Sequence, residues 1–285
     1  MSLPTVKQLR YFLALTESLH FGRAAEACFV SQSAFSNAIK ELESTLGVQL
    51  VDRNNRNVTI SAIGQDVAVQ ARLVVRDLES LVEMTQGQTE PLGGELRLGV
   101  IPTIAPFMLP RALPRLRKAY PALRLYLIED QTQRIYDRLL DGELDVLLLA
   151  LPWPMRNVET QELFRDRFCR AYRAGSDEES ILLLEDGHCL RDHALDACRI
   201  RNSNKVQRFG ASSLLTLIEM VDADLATTYL PEMAKGSALL KNTRVRLDTP
   251  IDNSYRTIGL AWRKGSGRVE EFELLGRSLA ECFAG

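Results

Sequence analysis

No stretch of the 285-residue chain approaches the roughly 20 consecutive apolar residues that a membrane-spanning helix needs. The first residues, MSLPTVKQLRYF, lack the apolar core of a secretory signal. Charge of one sign is also missing: 35 Lys and Arg stand against 37 Asp and Glu, for a net charge of −2. Nucleic-acid binding driven by bulk positive charge is thereby excluded, and only a local basic surface could serve. The five cysteines are an odd number with no CxxC spacing, which argues against both a secreted disulfide scaffold and a zinc ribbon. There is no GxSxG nucleophile elbow, and Gly93-Gly94 lacks the rest of a phosphate loop. Repeats and low-complexity tracts are absent. What remains is ordinary globular composition, 46% hydrophobic and 25% charged, with enough apolar material for more than one core. The expectation is a soluble, cytoplasmic protein of a reducing compartment, outside the membrane.

Residues 6–46 have helical periodicity. Leu9, Phe12, Leu13 and Thr16 form the first stripe, and an alanine-rich second helix covers Gly22–Cys28. Ser31 is placed to cap a third helix and Gly47 to end it. In that helix Phe35, Ile39, Leu42 and Leu46 share one face, while Ser33, Ser36, Asn37 and Lys40 share another. VQLVDRNNRNVTI then reads as two short strands around Asn54-Asn55. From Ser61 to Gly87 a long helix is predicted. Val67, Ala71, Val74, Leu78 and Leu81 repeat in it as a heptad seam suited to pairing with a second chain. Pro91-Leu92-Gly93-Gly94 is the clearest linker.

Beyond the linker the pattern alternates. Strands are predicted at Glu95–Ile101, Leu123–Ile128 and Val146–Leu151, with helices between them, so a parallel sheet with covered faces is expected. A second set follows, with strands at Phe168–Tyr172, Ile181–Leu184, Val206–Phe209 and Ala226–Tyr229. Its helices start near His188 and span Ser213–Val221. Thr257–Trp262 reads as a late strand and Val269–Cys282 as a closing helix.

Three helices and a hairpin in some 60 residues make a winged helix-turn-helix pattern, in which the third helix presents short donors and acceptors to base edges. Arg53 and Arg56 flank the wing turn, within reach of phosphates. Residues 1–61 carry a net charge of only +1. A plain three-helix bundle with a solvated polar face satisfies the same pattern. The stretch AAEACFVSQSAFSNAIKELESTLGVQLVDRNNRNVTISAIG, however, resembles the DNA-binding segment of LysR-type transcriptional regulators. The resemblance implies that Gln32, Ser33, Ser36, Asn37 and Lys40 face DNA, with Arg53 and Arg56 on the wing, and that the heptad helix dimerises the chain. Where that family usually carries arginines and a basic wing, this chain has Asn37, Asn54 and Asn55, so weaker nonspecific binding is expected.

The segment ILLLEDGHCLRDHALDAC concentrates unusual chemistry. Cys189 falls at a predicted helix start after the turn Glu185-Asp186-Gly187, where partial positive charge should lower a thiol pKa; His188 and Arg191 add donors. Cys198 lies nine residues further on. A straight helix would separate the two Cα atoms by roughly 13 Å at 1.5 Å per residue, well beyond the roughly 4.4–6.8 Å of a disulfide. Two unreactive packed thiols are the plain alternative. His188 and His193, drawn with Cys189 and Asp192 as a metal site, do not share one helical face, and neither metal nor cofactor is expected.

GHCLRDHALDAC is similar to the redox motif of the peroxide-sensing LysR-type regulators. The resemblance implies a peroxidatic Cys189 and a resolving Cys198, joined in a disulfide that unwinds the helix between them. IPTIAPFMLP around Thr103, EDQTQRIYDRLLDGELDVLLLAL around Thr132 and YRTIGLAWR around Arg256 extend the likeness. It implies that Thr103, Thr132, His188, Asp192 and Arg256 orient hydrogen peroxide and stabilise the leaving hydroxide. On the residues alone, each threonine reads as a helix N-cap. Only AGSDEES separates Tyr172 from Ile181, shorter than the family's usual loop and helix; Gly210, Asp222 and Asp224 also depart from its pattern.

The fold implied is α/β. It comprises a winged helix-turn-helix at 1–61, a dimerising linker helix and hinge at 62–90, and a two-lobed regulatory domain like the periplasmic binding proteins, with mixed, mostly parallel sheets. Lobe I takes 95–166 plus 254–285 and lobe II 167–253. The expected function is transcription regulation, mainly activation, with promoter DNA, a second copy of the chain (dimer or tetramer), RNA polymerase and hydrogen peroxide as partners. Enzymatic turnover is not expected. A LysR-type regulator that binds a small effector near Thr103 and Thr132, with inert thiols, is the alternative.

Overall fold

The computed structural model describes residues 3–54, 57–85, 92–200 and 204–283, with backbone only at 53, 54, 57, 80 and 83–85. The chain divides into two compact units, residues 1–88 with 140–143, and residues 89–139 with 144–285.

In the first unit, α1 spans Val6–Ser18, α2 Phe21–Ala27 and α3 Gln32–Leu46. Each start is capped by a side chain, which satisfies amide donors that a helix leaves open. Thr5 and Gln8 form a reciprocal capping box, with bonds of 2.9 and 3.2 Å. The His20 ring Nδ1 accepts from the Gly22 and Arg23 amides at 3.1 and 3.2 Å, and Ser31 accepts from Ala34 at 3.3 Å. Gly47, at φ +70°, ends α3 as predicted. The wing strands β1 (Val51–Asn54) and β2 (Asn57–Ile60) pair antiparallel. The Glu43 carboxylate accepts from the Leu50 and Val51 amides at 2.8 and 3.1 Å and so fixes the wing to α3.

Helix α4 runs Ala62–Thr85. The heptad seam does not stay on one surface. Ala71 is buried and Val67 packs on the unit's own core with Ala68 and Val75, among Leu9, Phe12, Phe35 and Ile39. Val74, Leu78 and Leu81 are 45%, 37% and 56% exposed. The apolar stripe is wider than a two-position seam: its N-terminal part serves the monomer core, and the rest is left uncovered.

The second unit is built on a seven-stranded sheet, in which β3 is Gly94–Val100, β4 Leu123–Glu129, β5 Val146–Leu151 and β6 Val158–Arg173. They are followed by β7 at Thr228–Pro231, β8 at Val245–Leu247 and β9 at Tyr255–Arg263. The order is β4-β3-β5-β9-β6-β7, with β8 also on β6. Strand β3 pairs parallel to β4 and β5, whereas β9 is antiparallel to both β5 and β6. The sheet is therefore mixed. Its parallel part is where βαβ crossovers occur, through α5 (Ala105–Ala119) and α6 (Thr132–Leu140). Strand β5 is buried along its whole length, as a central strand covered on both faces requires.

The strands predicted at Ile181–Leu184 and Val206–Phe209 contract to single parallel bridges, Ile181 to Val206 and Thr227, and Leu184 to Ala211. The strand predicted from Phe168 begins at Val158. Its polar first half, ETQELFRDR, pairs with β9 through a bulge near Glu162. The helices that remain are α7 (Cys189–Ala197), α8 (Leu214–Asp222), the short α9 (Ala238–Lys241) and α10 (Val269–Glu281). Trp262 of β9 packs on Phe272 of α10, with ring centroids 5.6 Å apart. No described helix is long and apolar enough to cross a membrane.

Candidate functional site

Helix α7 opens at Cys189 because the chain turns sharply before it. Gly187 sits at φ +95°, and a Cβ there would meet the Gln131 side chain at 3.1 Å. Arg191 clamps the same turn: its Nη1 donates to the Leu184 carbonyl at 3.0 Å, and its Nε lies 3.0 Å from Asp186. His188 is the N-cap residue but caps nothing with its side chain. It is buried, as are Cys189, Thr103 and Thr132. Thr132 begins α6, and Thr103 lies in the turn between β3 and α5. Both threonines therefore stand where a strand gives way to a helix, the common ligand position of such sheets.

Arg256 on β9 locks this region. Its Nε donates to Asp166 Oδ2 at 3.1 Å, Nη1 to Thr103 Oγ1 at 3.1 Å and Nη2 to the Thr103 carbonyl at 2.9 Å. Asp166 is its direct cross-strand partner in the β6–β9 register, and the carboxylate's other oxygen accepts from the Met233 amide at 3.1 Å. Both charges are buried. Burial pushes the Asp166 carboxyl up, and Arg256 only partly offsets it. An ion pair of this kind fixes geometry: removing one partner strands a charge at a cost of about 3–5 kcal/mol.

The electrostatics of Cys189 run against the sequence expectation. Burial is the largest influence and raises its pKa; Arg256, Thr132 and Thr103 lower it, and Asp192 raises it. The helix start and its cationic neighbour do not outweigh desolvation, so the net direction is upward. Asp192 lies on the exposed side of α7, where its carboxylate opposes the thiolate. The Thr132 hydroxyl is near enough to favour the thiolate, yet Oγ1 has no hydrogen bond of ordinary geometry. Thr103 is instead held by Arg256.

Cys198 is the C-cap of α7 and half-buried, with its thiol pushed up to about 12 by burial and by Cys169. Cys189 and Cys198 are both free thiols at opposite ends of one unbroken helix. Cys28 is half-buried, Cys169 and Cys282 are buried, and all three are free. Among the described residues no cluster of His, Cys, Asp and Glu could hold a metal ion.

Two residues outside the expected set belong to this neighbourhood. Asp166 has no local motif; only the strand register brings it to Arg256. His193 lies one helical turn after Cys189. Its four-residue spacing from Cys189 is the signal the sequence offers.

On the first unit, Gln32, Ser33, Asn37 and Lys40 are exposed on α3 and Ser36 is half-buried. Ser33 Oγ lies 3.1 Å from Ser31 Oγ. Arg56 and the Arg53 side chain lie outside the described residues.

Residues 6–65 match the bacterial regulatory helix-turn-helix proteins of the lysR family, and residues 89–283 match the LysR substrate binding domain. The chain belongs to the LysR family. Its LysR-family relatives include the HTH-type transcriptional regulator EstR of Acinetobacter baylyi, 39% identical, with 96% of this chain and 95% of EstR covered. A probable hydrogen peroxide-inducible genes activator of Streptomyces viridosporus is also 39% identical, over 98% of this chain and 94% of its own. Among solved structures, a full-length OxyR variant from Pseudomonas aeruginosa superimposes with a TM-score of 0.80 at 31% identity, covering 99% of this chain and 97% of that one. As a LysR-family member the chain is a DNA-binding transcription regulator, and LysR regulators bind DNA and oligomerise.

Proposed function

We propose that this LysR-family regulator senses hydrogen peroxide and passes the signal to promoter DNA, mainly as an activator. The observation that carries the reading is a buried thiol, Cys189, held among Thr103, Thr132 and a fully buried Arg256 at the start of a short helix that ends at a second thiol. The Cys189 sulfur attacks one peroxide oxygen, giving sulfenic acid and water. Cys198 then attacks that sulfur, giving the disulfide and a second water. The thiols lie nine positions apart along α7, so the disulfide cannot form on the intact helix, and oxidation becomes a change of shape.

In this reading residues 1–61 bind DNA through Gln32, Ser33, Ser36, Asn37, Lys40, Arg53 and Arg56. Residues 62–90 pair two copies through the exposed Val74, Leu78 and Leu81. Residues 95–166 with 254–285, and 167–253, form the two lobes of the sensor. RNA polymerase is the partner on activation. The sensing thiol is consumed once per reduction cycle, without turnover, in a cytoplasmic protein. Intact mass after stoichiometric peroxide should fall by two hydrogens, and Cys198→Ser should instead gain one oxygen. An unchanged two-hydrogen loss in Cys198→Ser would overturn the pairing.

A second reading takes a small effector between Thr103 and Thr132 with inert thiols. Two observations favour it: burial raises both thiol pKa values, and EstR, equally similar, is not named for peroxide. It predicts DNA binding indifferent to peroxide.

A further inference from the structure

Between α6 and β5 the chain leaves the second unit for four residues. Leu140–Glu143 belong to the first unit, while the rest of α6 and all of β5 lie in the second. This segment is the C-terminal turn of α6, where a helix leaves backbone carbonyls without intrahelical donors. Arginines supply the donors. At the base of the turn, Nη1 of Arg263 on β9 donates to the Leu139 and Leu144 carbonyls at 2.6 and 2.7 Å. Two arginines of α4 take the carbonyls at its tip. Arg72 Nη1 donates to Asp141 O at 2.8 Å, and Arg76 Nη1 to Gly142 O at 3.4 Å. Cationic donors suit the negative end of a helix. Between them Leu73 meets the turn directly. Gly142 is buried at φ +73°, and a Cβ there would stand 3.0 Å from Leu73 Cδ2. Any larger residue would push the turn off α4 as well as strain it.

The other end of α6 meets the approach to Cys189. The Gln131 carbonyl accepts the first bond of α6, from the Ile135 amide at 3.1 Å. A Cβ on Gly187 would lie 3.1 Å from the Gln131 side-chain oxygen. The turn that opens α7 therefore rests against the start of α6. Helix α6 has nine residues, so it is about 13 Å long. Its Ile135 and Leu139 are buried in the core of the second unit, which makes it a short rigid body.

We infer that α6 is a lever and that Arg72 and Arg76 are the coupling through which oxidation at Cys189 reaches α4. The inference rests on the peroxide reading above. In that reading the Cys189–Cys198 disulfide unwinds α7, and the turn at Gly187 loses the helix that holds it against Gln131. The start of α6 is then free to shift on that side. Arg263 holds the base of the far turn and acts as the pivot, so the tip swings against α4. Helix α4 packs through Val67, Ala68, Ala71 and Val75 on the core that also contains Phe12 of α1 and Phe35 of α3. A shift imposed at Arg72 and Arg76 is thereby delivered to the residues that seat α3. Both arginines are positioning residues, and neither takes part in the oxidation.

The test compares the full-length wild type with the double variant Arg72→Met, Arg76→Met and with Arg72→Lys. Methionine keeps the apolar stem without the donor, and lysine keeps a cationic donor. Each protein is footprinted with hydroxyl radicals on a duplex selected by the reduced wild type from a random pool, before and after stoichiometric peroxide. Intact mass scores the disulfide, and melting curves score folding. The double variant should form the disulfide to the wild-type extent yet lose the difference between its reduced and oxidised footprints. Arg72→Lys should keep that difference. A folded, disulfide-bonded double variant with the wild-type difference overturns the coupling and leaves the peroxide reading standing. Hydrogen exchange in the wild type covers a folding failure of the variant. Oxidation should alter exchange of the α4 amides around Arg72 and Arg76, and unaltered exchange there in disulfide-bonded protein overturns the coupling without any variant. Absence of the disulfide in the wild type overturns both readings.

Discussion

The two ends of this regulator handle polarity in opposite ways. Helix α3 keeps its polar residues outside, on a face whose interior counterpart is Phe35, Ile39 and Leu42. The second unit encloses a polar cluster: Thr103, Thr132, Asp166, His188 and Arg256 are all buried. The exposed polar face of α3 comes from one 15-residue helix, whereas Arg256 and Thr103 meet across 153 positions of sequence. A surface of independent contacts can lose one member and keep the rest. An enclosed network holds each member through the others, so its chemistry and its stability are one property.

The sharpest break in that comparison should come at Arg256. Arg256→Met leaves the Asp166 charge buried without its cation, held only by the Met233 amide, and the second unit should lose about 3–5 kcal/mol in denaturant unfolding. Adding Asp166→Leu should restore much of it. A loss below about 1 kcal/mol in the single variant would mean the pair is not the lock described here.

Thr132→Val separates chemistry from stability within the second unit. The hydroxyl has no hydrogen-bond partner in the folded protein, so melting should hardly change. Peroxide oxidation of Cys189 should nevertheless slow by about 10- to 100-fold, as expected for loss of a hydrogen bond to a charged sulfur. Unchanged oxidation would remove Thr132 from the site.

Two changes on the reading unit should be milder. Phe29, just before α3, is 95% exposed and sits at φ +55°, a conformation that a bulky side chain adopts at a cost. Phe29→Asn should stabilise the unit by about 1 kcal/mol. Lys40→Gln should weaken DNA binding evenly across sequences and reduce the salt slope by about 1. A sequence-selective loss instead would make Lys40 a base contact.

The same contrast decides what could be read without coordinates. Ser31, Gly47 and the apolar stripe of α3 are local signals, and the structure places its helix where they point. Thr103, Thr132 and Cys189 also announce themselves, each at a strand or turn running into a helix. Their surroundings do not. Asp166 lies in a polar half-strand that reads as loop, and only pairing with β9 sets it against Arg256. The pKa direction of Cys189 is hidden for the same reason: a helix start is visible in sequence, while desolvation depends on what covers it. The seam of α4 is legible only in part, since spacing alone does not say which part of a stripe the monomer uses for its own core.

The central claim is that one chemical event at Cys189 alters how the other unit holds DNA. The direct measurement is a hydroxyl-radical footprint on a duplex selected by the reduced chain from a random pool, repeated after stoichiometric peroxide, for wild type and Cys189→Ser. The account predicts a changed footprint for the wild type alone. Identical wild-type footprints before and after oxidation, or the same change in Cys189→Ser, would contradict it.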